Sequence, residues 1–237
     1  YEGIIMKKIS IGLIGFGNIG TGVVKLLQQN EKLISGKLGA KLVLKKIADV
    51  NISASRGVKI SKKILTTNAR DIINDPEISI VIELMGGYEP ARTFVLEAIK
   101  KGKHVVTANK AMLATYGNQI FPAAQKKNVD VGFEASVGGT IPIIKTLKEA
   151  LVANHINSII GIMNGTCNFI LTKMTDEGKP FDAVLKEAQQ LGFAEADPTF
   201  DIEGIDTSHK MAIILSLAYG KKVKLQDIYV EGITKIS

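Results

Sequence analysis

About the first 130 residues alternate between short apolar runs, rich in β-branched residues, and longer segments whose apolar residues recur at helical spacing. The short runs predict buried strands, and the segments between them predict helices. Strands alternating with helices indicate a doubly wound α/β fold with a parallel sheet. The predicted strands are Lys8–Ile14, Lys41–Ala48, Ile78–Leu84, His104–Thr107 and Val129–Phe133. The predicted helices are Asn18–Leu33, Pro90–Lys100 and Tyr116–Lys127.

The pattern changes after Glu134, where Gly138 and Gly139 interrupt the chain. Helical spacing dominates beyond this break, with two runs of strand character. We therefore expect a first domain over residues 1–134 and a second, α+β domain over residues 135–237. The second domain is predicted to contain helices at Ile141–Leu151, Asn164–Met174, Phe181–Gln190 and Ile205–Tyr219, and strands at Asn157–Met163 and Ile228–Ile233.

A glycine-rich segment, G-F-G-N-I-G, lies between the first predicted strand and the first predicted helix. In this context the first glycine permits a tight turn, the second allows close approach of a pyrophosphate, and the third allows helix and strand to pack closely. The pattern predicts a Rossmann-type dinucleotide site rather than a simple turn. Its expected cofactor contacts are Gly15, Phe16, Gly17, Asn18, Ile19 and Gly20.

Two residues bear on which nicotinamide dinucleotide binds. Asp49 ends the second predicted strand, where a carboxylate commonly binds the ribose 2′-hydroxyl and repels a 2′-phosphate. Arg56 follows seven residues later and could instead bind that phosphate. Asp49 favours NAD, while NADP stays open, as does a purely structural role for Asp49.

The ends of two further strands should face the same cofactor, because ligands of an open α/β sheet lie beyond the carboxyl ends of its strands. The segment Glu83–Gly87 brings Met85 and Gly86 to this edge. The segment Thr107–Lys110 brings Lys110 there, towards the nicotinamide. The alternative for Lys110 is a solvated lysine at the start of a helix.

The nineteen residues Gly192–Lys210 carry the most informative charge pattern of the chain. Five carboxylates lie within a stretch of twelve residues, 195–206, that contains no Lys or Arg. The whole chain, by contrast, has a net charge of +7. Such a cluster suits a small amino-bearing substrate. The carboxylates are Glu195, Asp197, Asp201, Glu203 and Asp206.

Asp206 and Lys210 are four residues apart and so share one face of the last predicted helix. A surface ion pair would explain this spacing alone. However, the helix beyond Lys210 is strongly apolar and must be buried, and a partly desolvated lysine beside carboxylates can exchange protons. His209 faces about 100° away on the helix and is not assigned as the base.

Composition restricts the partners. Although the pI is near 9.3, the lysines are scattered and tryptophan is absent, so nucleic-acid binding is not expected. No apolar run approaches the length of about 18 residues that would span a membrane. The single cysteine, Cys167, rules out an internal disulfide and fits a cytoplasmic protein.

Several segments together resemble homoserine dehydrogenase over nearly the whole chain. They include GLIGFGNIGTGVVK, VIELMGG, HVVTANKAMLA, FEASVGGTIPII, GIMNGTCNFILTKM and LKEAQQLGFAEADPTFDIEGIDTSHKMAI. The resemblance implies NAD(P)-dependent interconversion of L-homoserine and L-aspartate 4-semialdehyde, in threonine, methionine and isoleucine biosynthesis. It also implies homodimers formed through the second domain.

The resemblance implies roles for individual residues as well. Lys210 would transfer the proton, assisted by Asp206, with Lys110 between cofactor and substrate. The substrate would bind Glu195, Asp201, Asp206 and Gly192. A monovalent cation (Na⁺ or K⁺) would bind Glu134 and the backbone carbonyls of Val137, Gly139 and Ile141.

The chain departs from the family pattern at three places. Asp49 and Val50 stand where many relatives carry arginine, and His209 replaces the arginine usual before the catalytic lysine. The family normally continues past the position of Ser237 to complete the cofactor domain, so we expect a truncated chain.

Two other functions remain open from the sequence. One is an aldehyde dehydrogenase with Cys167 as nucleophile, which would need an activating base such as histidine. The other is a non-catalytic NAD(P)-sensing protein, which would share the glycine-rich segment but would not need the residues from Glu195 to Lys210.

Overall fold

A computed structural model describes residues 6–236, and the chain divides into two compact units that meet between Ser136 and Val137. The first unit contains a six-stranded parallel sheet, with strand order β3-β2-β1-β4-β5-β6. This sheet confirms the predicted doubly wound α/β fold. Its strands are β1 (Lys7–Ile14), β2 (Ala40–Ala48), β3 (Leu65–Thr66), β4 (Ile78–Glu83), β5 (His104–Thr107) and β6 (Val131–Gly132).

Helices connect these strands, and the spacing of their apolar residues turns one face of each longer helix towards the sheet. They are α1 (Asn18–Gln29), α2 (Glu31–Leu38), α3 (Arg70–Ile73), α4 (Ala91–Lys100) and α5 (Lys110–Lys127), with 3-10 turns at Lys62–Ile64 and Glu134–Ser136. None of the helices within residues 6–236 is long and apolar enough to cross a membrane.

The core of this unit lies between the central strands and the helices on either face. Leu13 of β1 and Ile47 of β2 are fully buried, as is Val24 of α1. Burying side chains of this size contributes roughly 1.5–3 kcal/mol each. The central strands are therefore fixed firmly, and the loops at their carboxyl ends start from rigid positions.

The structure differs from the predicted elements of this unit in several places. The helix α3 was not predicted, and α5 begins at Lys110 instead of Tyr116. The helix predicted over Asn18–Leu33 is divided at Asn30, whose backbone leaves the helical conformation (φ −107°, ψ 18°). The short strand β3 was not predicted, because two residues carry no recognisable period.

The second unit is helical. Its elements are α6 (Ile143–Lys145), a π-helical continuation (Thr146–Ala150), α7 (Gly165–Glu177), α8 (Phe181–Gln190), α9 (Thr199–Ile202), α10 (Ile205–Tyr219) and a 3-10 turn (Leu225–Asp227). Its core lies between α7, α8 and α9 and includes the buried residues Ile170, Val184 and Ile202. The acidic segment (Gly192–Lys210) includes the single turn α9 and the start of α10.

The two strands predicted in the second unit were wrong for this structure. Neither Asn157–Met163 nor Ile228–Ile233 forms a strand, and no sheet occurs among the described residues of this unit. Ile160 and Ile162 would share one strand face, yet they are 95% and 78% exposed. Residues with strand propensity do not become a strand unless a neighbouring strand supplies hydrogen bonds.

A buried polar cluster, here called the strand-end latch (Glu83, Thr107 and Asn109), joins the carboxyl ends of β4 and β5. The Glu83 carboxylate is fully buried; it accepts hydrogen bonds from the Thr107 hydroxyl at 2.6 Å and from the Met85 N–H at 2.8 Å. The Thr107 oxygen in turn accepts the Asn109 N–H at 3.0 Å. Both strand ends are therefore held by one carboxylate.

Asn109 extends the latch into the two loops. Its side-chain oxygen accepts the Met112 N–H at 3.1 Å and so caps α5, which begins at Lys110. Its side-chain nitrogen donates to the Gly87 carbonyl at 2.7 Å. The loop after β4 and the start of α5 are thereby fixed to each other.

We predict that Thr107→Val destabilises the protein by about 2–4 kcal/mol, because it leaves one oxygen of the buried Glu83 carboxylate and the Asn109 N–H each without the Thr107 hydroxyl as a partner. Urea denaturation measures this change. The control is Thr67→Val, at an exposed threonine of the same unit, where about 0.5 kcal/mol or less is expected. Equal stabilities of the two variants would contradict a stabilising role for the latch.

Candidate functional site

The glycine-rich loop follows β1 directly and is too tightly packed for side chains at two of its glycines. Gly15 has φ +95°, and a Cβ atom there would lie 2.6 Å from the Leu84 carbonyl group. A Cβ atom at Gly20 would lie 2.2 Å from the Gly15 carbonyl oxygen. The first and third glycines are therefore required by the turn and by its packing against α1.

The middle glycine faces open space instead. A Cβ atom at Gly17 would meet no atom within 4 Å. The helix α1 begins at Asn18 with neither a side-chain cap nor an acidic residue in its first turn. The first N–H groups of α1 are thus not occupied by a side chain, which suits a phosphate group.

Asp49 lies at the end of β2 and binds this loop. Its Oδ2 accepts the Phe16 N–H at 2.6 Å, and its Oδ1 accepts the Asn51 N–H at 2.8 Å and Arg56 Nη2 at 3.0 Å. Arg56 also donates through Nε to the Phe16 carbonyl, and its guanidinium lies 4.8 Å from the centre of the Phe16 ring. Asp49 and Arg56, which the sequence offered as alternatives, are partners in one ion pair.

Two clefts flank the loop, and Gly17 lines both. A mostly apolar cleft of about 430 Å³ is lined by Gly15, Gly17, Asp49 and Met85, together with Leu84 and Phe94 among others. A cleft of about 580 Å³ on the other side is lined by Gly17, Asn18, Thr21, Gly22, Lys25, Ala54, Ser55 and Arg56. Six of the predicted cofactor residues therefore line these two clefts of the first unit: Gly15, Gly17, Asn18, Asp49, Arg56 and Met85.

The remaining predicted cofactor residues lie at the same edge of the sheet or next to it. Gly86 follows Met85 with φ +76°. Lys110 is the first residue of α5, directly after the latch residue Asn109, and is half-buried. Ile19 lies in the first turn of α1, with its side chain 63% exposed.

The second unit brings Lys210 and Asp206 together. Lys210 Nζ lies 2.6 Å from Asp206 Oδ2 and donates a second hydrogen bond to the Met163 carbonyl, also at 2.6 Å. The side chain of Asp206 is 5% exposed and that of Lys210 is 18% exposed. The pair is therefore largely desolvated and is not the simple surface ion pair that the spacing alone allows.

Asn164 links this pair to a second carboxylate. Its Nδ2 donates to Asp201 Oδ1 at 2.7 Å and to Asp206 Oδ2 at 2.9 Å. Its Oδ1 accepts the Cys167 N–H at 2.8 Å and so caps α7. The sequence analysis missed Asn164, although the polar residue before Gly165 is a typical helix-capping signal.

Thr166 was also missed. Its hydroxyl lies 3.0 Å from Asp201 Oδ2 and 2.7 Å from the Phe193 carbonyl. Asp201 is therefore contacted by two side chains from the start of α7, which lies more than 30 residues earlier in the sequence. We call the residues Asn164, Thr166, Asp201, Asp206 and Lys210 the carboxylate–lysine network.

The other two predicted substrate residues, Glu195 and Gly192, make no described contact with this network. The Glu195 side chain is exposed, and its backbone carbonyl accepts Gln189 Nε2 at 3.1 Å. Gly192 is exposed and adopts φ +78° just after α8. The acidic segment thus divides into two inward carboxylates, Asp201 and Asp206, and three exposed ones.

Cys167 lies beside the network but is poorly suited to attack a carbonyl. Its Sγ donates to the Asp201 backbone carbonyl at 3.2 Å. Burial, with the negative charges of Asp201 and Asp206, raises the pKa of the Cys167 thiol to about 11. The thiol is therefore protonated at neutral pH.

The residues of the predicted cation site lie on both sides of the sequence boundary between the two units. Glu134 begins a 3-10 turn that closes the first unit, and Val137, Gly139 and Ile141 open the second. No group of three or more His, Cys, Asp or Glu side chains within residues 6–236 is arranged to hold a metal ion. A site built mainly from backbone carbonyls stays a prediction.

Family models match both units of the chain. The model for the NAD binding domain of homoserine dehydrogenase matches residues 15–134, and the homoserine dehydrogenase model matches residues 142–237. The homoserine dehydrogenase of Bacillus subtilis (strain 168) is 45% identical over 232 residues, which cover 98% of this chain and 54% of that protein. The chain thus spans about half the length of the curated relatives it matches.

Solved structures agree with these matches. A crystal structure of a homoserine dehydrogenase from Thiobacillus denitrificans is similar with a TM-score of 0.91 and 50% identity, covering 98% of this chain and 54% of that one. A hyperthermophilic archaeal homoserine dehydrogenase in complex with NADPH is similar with a TM-score of 0.82 and 26% identity, covering 97% and 75%. The chain belongs to the homoserine dehydrogenase family.

Proposed function

We propose that this chain carries the cofactor site and the substrate site of an enzyme that interconverts L-homoserine and L-aspartate 4-semialdehyde with NAD(P). The observation that supports this most strongly is the carboxylate–lysine network. A largely desolvated lysine is fixed there beside two inward carboxylates. Carboxylates suit the ammonium group of an amino acid, and lysine suits proton exchange with a hydroxyl.

The first unit fits a dinucleotide. The open face at Gly17 and the first N–H groups of α1 would hold the pyrophosphate, and the apolar cleft beside Met85 would hold a flat base. Lys110 is assigned to the nicotinamide end, with Met85 and Gly86. When bound, the nicotinamide accepts or supplies the hydride; the residues described below handle the proton and the amino acid.

In the oxidative direction, the substrate hydroxyl loses its proton to neutral Lys210 while its carbon loses a hydride. The bonds broken are O–H and C–H. The bonds formed are N–H on Lys210, the C=O π bond of the semialdehyde and the C–H bond that the nicotinamide would supply as hydride acceptor. In reverse, the ammonium form of Lys210 returns the proton to the developing alkoxide. Positioned acid–base catalysis of this kind contributes roughly 10²–10⁴-fold to the rate.

Asp206 positions Lys210 in this cycle and favours its ammonium form. Its Oδ2 orients Lys210 Nζ at 2.6 Å and stabilises the ammonium form. The substrate ammonium is assigned to Asp201 and Asp206, with Glu195 and Gly192 as further contacts from the acidic segment. The exposed Glu195 would have to turn towards the substrate.

We also propose that the cofactor is preferentially NAD. Asp49 stands at the ribose position, and Arg56 is already engaged by that carboxylate and by the Phe16 carbonyl. A 2′-phosphate would compete with Asp49 for the guanidinium and would meet its negative charge.

Three further properties are proposed from membership of the family: a homodimer formed through the second unit, a monovalent cation at Glu134, Val137, Gly139 and Ile141, and a cytoplasmic location. The single cysteine of the chain is compatible with a reducing compartment.

The two alternative functions fit the site less well. A cysteine nucleophile would need a thiolate, whereas burial and two carboxylates hold the Cys167 thiol in its protonated form. A sensing protein would need no lysine desolvated beside carboxylates.

We predict that Lys210→Ala lowers kcat by roughly 10²–10⁴-fold with little change in cofactor affinity, because it removes the proton-transferring group and leaves the glycine loop untouched. Lys210→Arg should lower kcat as well, since arginine stays protonated and cannot accept the hydroxyl proton. Semialdehyde-dependent oxidation of NADH and NADPH measures turnover. The matched control is Lys173→Ala, at a lysine of α7 engaged by glutamates, which should keep turnover. Normal turnover in Lys210→Ala would reject its role.

Asp49→Asn is expected to shift cofactor selection towards NADPH by about tenfold or more, because the like charge facing a 2′-phosphate is removed while the side-chain shape is kept. Dissociation constants of NADH and NADPH, measured by calorimetry, give this ratio. Asp197→Asn, in the other unit, is the control. An unchanged ratio for Asp49→Asn would show that this carboxylate does not select the cofactor.

Alkylation of Cys167 is predicted to be slow at pH 7 and to accelerate about tenfold per pH unit towards its pKa of about 11. The pKa is raised, so the reactive thiolate is lost as the pH falls below it. Iodoacetamide labelling followed by mass spectrometry measures the rates. Rapid labelling at pH 7 would favour the cysteine-nucleophile alternative.

A further inference from the structure

We infer that Asn164 is a positioning residue that donates to Asp201 and Asp206 together and so holds the two carboxylates side by side, where both can face the substrate's ammonium group. The inference rests on the proposed function of the same site. It concerns a residue that does not itself have to touch the reacting atoms. It acts through the two carboxylates and, through Asp206, on Lys210.

The side-chain amide of Asn164 is fully used. It can donate two hydrogen bonds through Nδ2 and accept through Oδ1. One donor goes to Asp201, the other to Asp206, and the acceptor receives the Cys167 N–H. Asn164 itself is 7% exposed, so water cannot readily replace these bonds.

The orientation of the amide is fixed by the helix cap. If the oxygen and nitrogen were exchanged, an NH₂ group would face the Cys167 N–H, and the oxygen would face two carboxylates. Both arrangements are repulsive. The cap of α7 therefore determines that the two donors of Asn164 point at Asp201 and Asp206.

The electrostatic effect of these donors follows from the groups around them. Asp201 comes from α9, Asp206 and Lys210 from α10, and the protonated Cys167 thiol from α7. Two carboxylates sharing a desolvated site tend to hold a proton between them. Hydrogen bonds donated to the charged forms oppose this tendency, and Asn164 supplies one to each carboxylate.

The same segment also reaches Lys210. Met163, the residue before Asn164, accepts a hydrogen bond from Lys210 Nζ at 2.6 Å, and Asn164 shares Asp206 Oδ2 with that ammonium. Residues 163 and 164 thus contact all three charged members of the network. A shift of Asn164 would move the acid–base group and the ammonium site together.

The test separates the cap from the donors. Asn164→Ser and Asn164→Asp both keep a good capping oxygen for α7, but neither can donate to two carboxylates. Asn164→Ala loses the cap as well. Hydrogen exchange of the Cys167 amide reports the cap, and it should stay protected in the first two variants and lose protection in Asn164→Ala.

Two readouts then address the carboxylates. In the substrate-free protein, NMR titration should show an aspartate carboxyl titrating at higher pH in Asn164→Ser than in the wild type, because one hydrogen bond to the charged forms is lost without any added charge. Homoserine affinity, measured by calorimetry, should fall about 10- to 100-fold in the same variant.

Unchanged carboxyl titration in Asn164→Ser, with unchanged homoserine affinity in both capped variants, would overturn the inference. Weakened binding confined to Asn164→Ala would do the same, because it would assign Asn164 to the helix cap alone. A wild-type protein that binds no homoserine would overturn the proposed function, and the substrate-free titration would still decide the role of Asn164.

Discussion

The ion pair between Asp206 and Lys210 is the interaction on which the proposed substrate site depends. Removing two charges from water costs several kcal/mol per ion, and their attraction offsets this only when other hydrogen bonds satisfy the remaining atoms. Here the Met163 carbonyl and the Asn164 amide provide those bonds. Two apolar side chains would fill the same space with a smaller desolvation penalty. The charges are therefore better explained by the proposed proton transfer than by stability. The first unit uses the same principle, since the buried Glu83 carboxylate is held by Thr107 and the Met85 N–H.

Local sequence signals predicted much of this architecture. The glycine loop, the central strands and the Asp206–Lys210 spacing all depend on residues within a few positions of each other, and such signals are read directly from periodicity and turn chemistry. The partners of those residues were not predictable in this way. Asn164 lies 37 and 42 positions from the two carboxylates it binds, and Thr107 lies 24 positions from Glu83. Only the fold brings them together.

Three other differences have distinct physical causes. The segments Asn157–Met163 and Ile228–Ile233 have strand propensity without a neighbouring strand in the described chain, so propensity alone overestimated regular structure. The five carboxylates of the acidic segment looked equivalent in sequence, but the turn α9 and the start of α10 direct only Asp201 and Asp206 into the network. Asp49 and Arg56 were treated as competing signals, whereas an ion pair makes their effects on the cofactor inseparable.

A crystal structure of the protein with bound L-homoserine would show whether the carboxylate–lysine network binds the substrate. We expect the substrate ammonium within about 2.6–3.2 Å of Asp201 or Asp206 carboxylate oxygens, and the substrate hydroxyl at a similar distance from Lys210 Nζ. Homoserine bound with its hydroxyl away from Lys210, or with its ammonium away from both carboxylates, would contradict this expectation.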